Sequence, residues 1–188
     1  MLRWVLVGVA VTAAATRARA AEAERGGAQE VAVLAGGCFW GMQEILRKVP
    51  GVVTTEVGYA ASRAASVRFE GSGGGDRAEA VRIVFDPSKL SYEDLLERWF
   101  FRMHDPTTRD RQGNDVGRRY RSAIFYLAAE QKTAAERVKD RVDRSGKWQA
   151  PLVTEIVRLG SWVRAEAQHQ DYLQKNPHGY TCHFLRPG

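Results

Sequence analysis

The hydrophobic and polar residues of this chain follow two periods in alternation, which predicts strands and helices interleaved in one folded unit. An unbroken apolar run such as residues 31–35, or the alternation at 80–85, indicates a strand. Met42, Ile45 and Leu46, three and four positions apart, indicate one face of a helix. The pattern predicts an α+β fold in which helices cover a mixed sheet. Strands are expected at 31–35, 52–57, 80–85, 122–127 and 152–159, and helices at 38–49, 91–103, 129–144 and 165–175.

The first 30 residues depart from this pattern and have the features of an export signal. A basic start at Arg3 precedes an uncharged apolar run over residues 4–15, and Ala18-Arg19-Ala20 has the small-x-small spacing that signal peptidase recognises. The run is shorter than the roughly 20 residues that span a bilayer, so no stable membrane insertion is expected, with an uncleaved anchor as the alternative. The predicted division is a signal peptide at 1–20, a linker at 21–30 and a folded domain at 31–188, exported to the periplasm.

Composition and charge restrict the classes of partner. The chain has 188 residues, 44% of them hydrophobic and 27% charged, as in folded globular proteins. Its net charge is +6, but Arg3, Arg17 and Arg19 belong to the export signal and the other cations are scattered. Because nucleic-acid binding needs a dense basic face, no nucleic-acid partner is expected.

The chain has two cysteines, Cys38 and Cys182. In an exported protein, a structural disulfide between them is one interpretation. Cys38, however, stands at the start of a predicted helix, where free N–H groups and the helix dipole would stabilise a thiolate and lower its pKa. Phe39 and Trp40 beside it would provide an apolar wall. Cys182 lies in a tail rich in proline and glycine, so an activated sulfur and a mobile one would suit redox cycling.

Glu79 is the second candidate. Side chains alternate along a strand, so Glu79 would extend the apolar face of Val81, Ile83 and Phe85 if the strand begins early enough. Burial there would disfavour the charged carboxylate and leave a proton donor near neutral pH. The alternative is a hydrated glutamate at a frayed strand end.

Other polar residues give weaker signals. A polar loop ends in Asp115 and leads to Tyr120, and loops often carry function, although Gly and Asn are also typical of a plain turn. A zinc site needs about four closely spaced ligands, and the cluster at His178 and Cys182 has no matching pair upstream, so no metal is predicted. A hydrolase with a histidine base for Cys38 stays open, because such partners need be close only in space. The histidines are His104, His169, His178 and His183.

Residues 37–41, Gly-Cys-Phe-Trp-Gly, resemble the hallmark stretch of the A-type peptide-methionine sulfoxide reductases. Further segments match that family in the family's order, and the similarity covers residues 31–185. On this ordered series, the chain is identified as a member of the family. The other matching segments are 58–59, 78–81, 104–106, 111–115, 120–124, 169–173 and 176–180.

The resemblance implies a reductase of methionine S-sulfoxide, protein-bound or free, that needs no bound cofactor. By similarity, Cys38 is the nucleophile that attacks the sulfoxide sulfur, and Glu79 donates a proton to the departing oxygen. Tyr120 is implied to hydrogen-bond that oxygen, with Asp115 in the same polar pocket. The implied cradle for the methionine ε-methyl group is Phe39 and Trp40.

The resemblance also implies the second half of the cycle and the fold. Attack leaves Cys38 as a sulfenic acid. Cys182 is implied to condense with it to a disulfide, which thioredoxin, or a thioredoxin-like reductant of the periplasm, reduces. The other implied partners are oxidised methionine-containing proteins, and a monomer is expected. The family fold is a ferredoxin-like two-layer sandwich with additional elements.

Three departures from the family pattern bear on activity. Val67 stands where the family has a second oxygen-binding tyrosine, and Phe69 is the nearest aromatic residue. Arg77 replaces a family histidine close to Glu79, and its charge would favour the ionised carboxylate. The loop at 60–75 lacks the usual pattern. One alternative is therefore a degenerate member that binds sulfoxide peptides without turnover, and another is a binding domain with a permanent disulfide.

Overall fold

The structure, a computed structural model, describes residues 28–63 and 76–187. The predicted signal peptide, most of the linker, Val67 and Phe69 lie outside these residues. No helix in the described ranges is both long and apolar enough to cross a bilayer. The strands are β1 Glu30–Gly36, β2 Val52–Ala61, β3 Ala78–Phe85, β4 Arg111–Gln112, β5 Asp115–Val116, β6 Ser122–Tyr126, β7 Glu155–Arg158 and β8 Ser161–Arg164; the helices are α1 Phe39–Leu46, α2 at 92–103, α3 Ala129–Arg144 and α4 Tyr172–Lys175.

Six strands form one mixed sheet in the order β7-β6-β1-β3-β2-β8, and β4 pairs with β5 in a small hairpin. The β6–β7 pair is parallel and the other pairs are antiparallel. This confirms the predicted α+β fold with a mixed sheet. Leu34 of β1 lies opposite Val81 of β3, so the C-terminal end of β1 and the N-terminal end of β3 lie side by side at the same end of the sheet. Cys38 and Glu79 are therefore close in space although they are far apart in sequence.

The main core lies between the sheet and its helices. Met42 and Leu46 of α1 are fully buried, at the positions that the helical period predicts. They belong to the same apolar cluster as Val81 and Ile83 of β3. Because β3 begins at Ala78, residue 79 shares the core face with residues 81 and 83, which confirms the expected position of Glu79.

Some elements differ from the predicted ones. The second helix begins as predicted, with the Ser91 hydroxyl accepting the N–H of Asp94 at 3.0 Å, but it is π-helical over Leu95–Phe100. Of the expected strand at 152–159, only Glu155–Arg158 forms a strand, β7. The next strand, β8, is one that the sequence pattern does not predict.

The expected helix at 165–175 contains only the short α4. The Gln170 side chain bonds both backbone groups of Val57, at 3.0 and 2.8 Å, and Asp171 has φ of 56°. A left-handed residue interrupts a helix, so tertiary contacts replace helical ones here.

Candidate active site

Cys38 lies in the turn between β1 and α1, where small residues allow a close approach of other segments. Gly37 has φ of +107°, a conformation that favours glycine, and a Cβ there would lie 2.7 Å from the Gln112 side chain. Cys38 is the N-cap residue of α1 and is 6% exposed. The Gly-Cys sequence thus forms a tight strand-to-helix turn that buries a thiol.

The protonation state of Cys38 differs from the expectation. Burial raises the pKa of the thiol to about 12, and the nearby charges of Glu79 and Asp115 also raise this pKa. The backbone N–H of Trp40 acts in the opposite direction and lowers the pKa. The first N–H of α1, that of Phe39, donates to Glu79 Oε2 at 3.3 Å. The loss of water around the sulfur outweighs the helix terminus, so the thiol is neutral at rest. The prediction of a lowered pKa is wrong.

Glu79 is a buried acid beside that turn. Its side chain is 7% exposed, and its carboxylate accepts the N–H of the residue that follows Cys38. Burial raises the pKa of the carboxyl group to about 7, Asp115 adds to the increase, and the Phe39 N–H and the charge of Arg119 oppose it. Protonated and ionised forms therefore coexist near neutral pH, as the sequence predicts. Sequence reasoning missed Arg119 as a charge acting on this group.

Two tyrosines lie near the Glu79 carboxyl group. Tyr59 of β2 is paired with Glu79 in the strand register, so the two side chains share a face. Burial, together with the charges of Glu166 and Glu79, raises the pKa of Tyr59 to about 12. Tyr120 ends a 3₁₀ turn, Arg118–Tyr120, and its pKa is raised by burial and by Glu79. Both phenols are neutral donors beside the acid.

Tyr120 is a site residue that the sequence predicts, whereas Tyr59 is one that it missed. The matching Gly-Tyr pair at 58–59 was a signal, but the pairing of β2 with β3 gives Tyr59 its position.

Aromatic rings form the wall beside Cys38. The buried Phe39 ring lies 5.7 Å from the ring of Tyr59 and 5.5 Å from that of His169. Trp40 stacks on Tyr172 at 3.8 Å, and its Nε1 donates to His169 Nδ1 at 3.2 Å. The two residues expected to cradle a methyl group therefore pack against residues 169–172, and Phe39 packs on Tyr59 of β2 as well.

The C-terminal tail brings Cys182 to the same place. Its sulfur lies 3.4 Å from Asp115 Oδ2 and 3.4 Å from His183 Nδ1. The backbone N–H of Cys38 also interacts with the Cys182 sulfur and lowers its pKa, against a larger increase from burial. Tyr180 donates to the same Asp115 oxygen at 3.0 Å. Both cysteines are free thiols in the structure.

Three histidines, His104, His169 and His183, have hydrogen-bond partners other than Cys38. His104 is fully buried between the Phe100 carbonyl at 2.8 Å and the Ser122 hydroxyl at 2.7 Å, and His183 contacts the Gly36 carbonyl at 2.8 Å. Among residues 28–63 and 76–187, no hydrogen bond joins a histidine to Cys38, as a hydrolase dyad would require. No group of three or more potential metal ligands forms within those ranges.

Comparison with known proteins determines the family. A family model described as peptide methionine sulfoxide reductase matches residues 30–187. Peptide methionine sulfoxide reductase MsrA 1 of Mesorhizobium japonicum is 56% identical over 159 residues, which cover 85% of this chain and 91% of that protein. The chain belongs to the A-type peptide methionine sulfoxide reductase family. Its activity is that of a peptide-methionine (S)-S-oxide reductase.

Solved structures of family members agree with this assignment. The reduced form of Mxr1 from Saccharomyces cerevisiae is 34% identical, has a TM-score of 0.75, and matches 85% of this chain and 93% of its own. Mxr1 in complex with Trx2 matches at 24% identity and a TM-score of 0.58, over 85% and 91% of the two chains, which concerns the fold alone. The comparisons establish the family. The roles that the family motifs imply for individual site residues remain predictions.

Proposed function

We propose that this enzyme reduces methionine S-sulfoxide, free or in proteins, by attack of the Cys38 sulfur, with Glu79 as the proton donor. One observation carries the proposal: a carboxyl group that keeps a proton near pH 7 lies 3.3 Å from the N–H of the residue after Cys38. A positioned acid of this kind protonates an oxygen as its bond to sulfur weakens.

The protons balance within this pair of groups. Glu79 gives its proton to the sulfoxide oxygen while the Cys38 sulfur bonds to the substrate sulfur. The thiol proton of Cys38 then returns to the Glu79 carboxylate, since the thiol is neutral at the start. The hydroxyl group then moves from the substrate sulfur to the Cys38 sulfur as the bond between the two sulfurs breaks, which leaves Cys38 as a sulfenic acid and releases methionine. The high pKa of the thiol therefore fits a mechanism in which proton loss accompanies attack.

Two phenols are available to hold the oxygen. Tyr120 is the donor implied by the family, and we propose Tyr59 as the second, in place of the tyrosine that is missing at Val67. Tyr59 is directly opposite Glu79 across the β2–β3 pair, which puts its side chain on the acid's side of the sheet. Donors aimed at a developing oxyanion each contribute on the order of 10²–10³ in rate.

The second half of the cycle uses the tail. Cys182 attacks the Cys38 sulfenic acid, water leaves, and a disulfide forms. We propose a thioredoxin-like reductant for that disulfide; the existence of an Mxr1–Trx2 complex supports this class of partner. For an exported enzyme, the reductant would be a periplasmic protein of that class.

A single-turnover assay tests the proposal. Reduced protein is mixed with separated S and R epimers of methionine sulfoxide, and methionine is quantified for the wild type and for Cys38→Ser and Glu79→Gln. We expect one equivalent of methionine from the S epimer with the wild type, none with Cys38→Ser, and a rate reduced by about 10²–10⁴ with Glu79→Gln. Turnover of the R epimer, or full activity without the Glu79 carboxyl, would contradict it.

We also propose the finer features of the molecule. The order β6-β1-β3-β2, with β7 and β8 added at the edges, supports a ferredoxin-like sandwich with additional elements. The pattern of residues 1–20 supports export with cleavage after Ala20. Expression of the full chain in a bacterium, followed by fractionation, N-terminal sequencing and light scattering, should give a periplasmic monomer that begins at Ala21. A cytoplasmic protein that retains residues 1–20 would refute export.

A further inference from the structure

His183 is a buried histidine to which the family motifs assign no part in the reaction. Its side chain is 8% exposed, and its Nε2 lies 2.8 Å from the carbonyl oxygen of Gly36. A carbonyl oxygen only accepts hydrogen bonds, so Nε2 carries the proton. Burial lowers the pKa of this imidazole to about 4, which keeps the ring neutral at pH 7. Nδ1 is therefore an unprotonated nitrogen with a free lone pair.

That lone pair is directed at the resolving cysteine. Nδ1 of His183 lies 3.4 Å from Cys182 Sγ, within the range of a sulfur hydrogen bond. In the described part of the chain, Nδ1 has no other hydrogen-bond partner. Gly36, which fixes the tautomer, is two residues before Cys38, so the same turn holds the nucleophile and orients the base.

Glycines of the Gly-Cys-Phe-Trp-Gly stretch make room for this ring. A Cβ at Gly41 would lie 2.8 Å from His183 Nδ1, and one at Gly37 would lie 3.2 Å from its Cε1. A side chain at position 41 would therefore collide with the Thr181 hydroxyl and with this ring. The tail supplies His183 and Cys182, and the turn before α1 leaves the space that their contact needs.

Cys182 has a chemical need for a base. Burial and the hydrogen bond to Asp115 raise the pKa of its thiol to about 11. Only about one molecule in 10⁴ would carry a thiolate at pH 7. Asp115 Oδ2 also accepts a hydrogen bond from the sulfur, at 3.4 Å, but the same oxygen already accepts the Tyr180 hydroxyl, whereas His183 Nδ1 is not shared in this way.

We propose that His183 is a catalytic base of the resolving step and removes the thiol proton of Cys182 as it attacks the Cys38 sulfenic acid. The inference rests on the proposed cycle. The Cys182–Cys38 S–S bond forms while the S–O bond of Cys38 breaks, and the oxygen leaves as water with a proton from Glu79. The proton on Nδ1 then returns to the Glu79 carboxylate through solvent. A weakly basic imidazole suffices, because a thiol becomes far more acidic as its sulfur bonds to an electrophile.

His183→Gln tests the role, since a glutamine amide can still donate to the Gly36 carbonyl but has no basic nitrogen. Reduced protein is mixed with methionine S-sulfoxide, and methionine, trapped sulfenic acid and disulfide are followed by mass spectrometry from pH 6 to 9. In the wild type we expect disulfide formation to be nearly independent of pH below about 7 and to slow above it, as Glu79 loses the proton that the leaving oxygen needs. In His183→Gln we expect methionine release at a comparable rate, accumulation of the sulfenic acid, and disulfide formation slowed by about 10²–10⁴ at pH 7. Relative to the wild type at the same pH, its rate should rise roughly tenfold per pH unit, because hydroxide must now ionise Cys182.

The groups that face this ring are Cys182, Asp115, Arg186 and the buried His104. His178→Gln, at an exposed position of the same tail, is the matched control and should behave as the wild type. A wild-type rate in His183→Gln, or a slowing by the same factor at every pH, would overturn the proposal, as would a pH slope that appears in Asp115→Asn instead. Sulfenic acid generated with one equivalent of hydrogen peroxide in place of the sulfoxide tests the step separately, since excess peroxide would oxidise it further. If the proposed function is wrong, the wild type releases no methionine from the sulfoxide. The peroxide experiment does not depend on that release and still tests the role of His183.

Discussion

Replacing Glu79 with glutamine removes one titratable group from the pocket, and its effect on stability follows from the burial of that group. In the folded protein the carboxyl group has a pKa of about 7, against an ordinary value of 4.5. Each pKa unit corresponds to about 1.4 kcal/mol, so ionising Glu79 in the folded state costs about 3 kcal/mol more than in the unfolded chain.

The sign of the pH dependence is determined by which state loses its proton first. Below pH 4.5 the folded and the unfolded state both hold the proton on Glu79, and the wild type has the full contribution of the uncharged carboxyl group to its free energy of unfolding. As the pH rises, the unfolded chain ionises first, so the stability of the wild type falls until the folded carboxyl group ionises near pH 7. Glu79→Gln lacks this effect. Its amide oxygen can accept the Phe39 N–H, and the buried NH₂ adds a cost of about 1–3 kcal/mol that does not depend on pH.

Urea unfolding of both proteins under reducing conditions, between pH 4 and 8.5, measures this effect. The free energy of unfolding of the wild type minus that of Glu79→Gln should fall by about 3 kcal/mol across that range. Glu130→Gln, at an exposed position in the first turn of α3, is the control, and its difference from the wild type should lack this fall. A difference that stays constant with pH, or that rises, would refute the inference that a buried carboxyl group keeps its proton here.

Three further variants test other parts of the site. Cys182→Ser should still release one equivalent of methionine but lose thioredoxin-driven turnover; loss of the first equivalent as well would contradict its role as the resolving cysteine. Tyr59→Phe should lower the rate of methionine release by about 10²-fold, measured in a single turnover, if its hydroxyl holds the oxygen, and a change below twofold would exclude that role. Arg186 donates to the His104 carbonyl at 2.9 Å and lies over the Trp148 ring at 5.0 Å. Arg186→Ala should therefore weaken the packing of the tail by about 2 kcal/mol. Limited proteolysis of the tail should become faster and the disulfide step slower; unchanged proteolysis would contradict the role of Arg186 in holding the tail.

The sequence by itself determined the elements that carry the site. The apolar periods predicted β1, the helix after it and β3 with useful accuracy, because each buries one regular face in the core. The same period put Glu79 on the core face of its strand, and a carboxyl group there must lose its water. Motif order was enough to identify the family, which the comparisons confirm.

Tertiary structure decided what lies next to what. The sequence predicted a lowered pKa at Cys38 from the helix start alone, but burial, a property of the whole fold, raises it to about 12. Tyr59 faces Glu79 only through the β2–β3 register, and His183 meets Gly36, and Cys182 meets Asp115, only because the tail folds back over the turn. Local sequence sets the backbone conformation of a segment. The electrostatics of a buried group depend on the solvent it loses and the distant segments that replace that solvent, so they follow only from the packed structure.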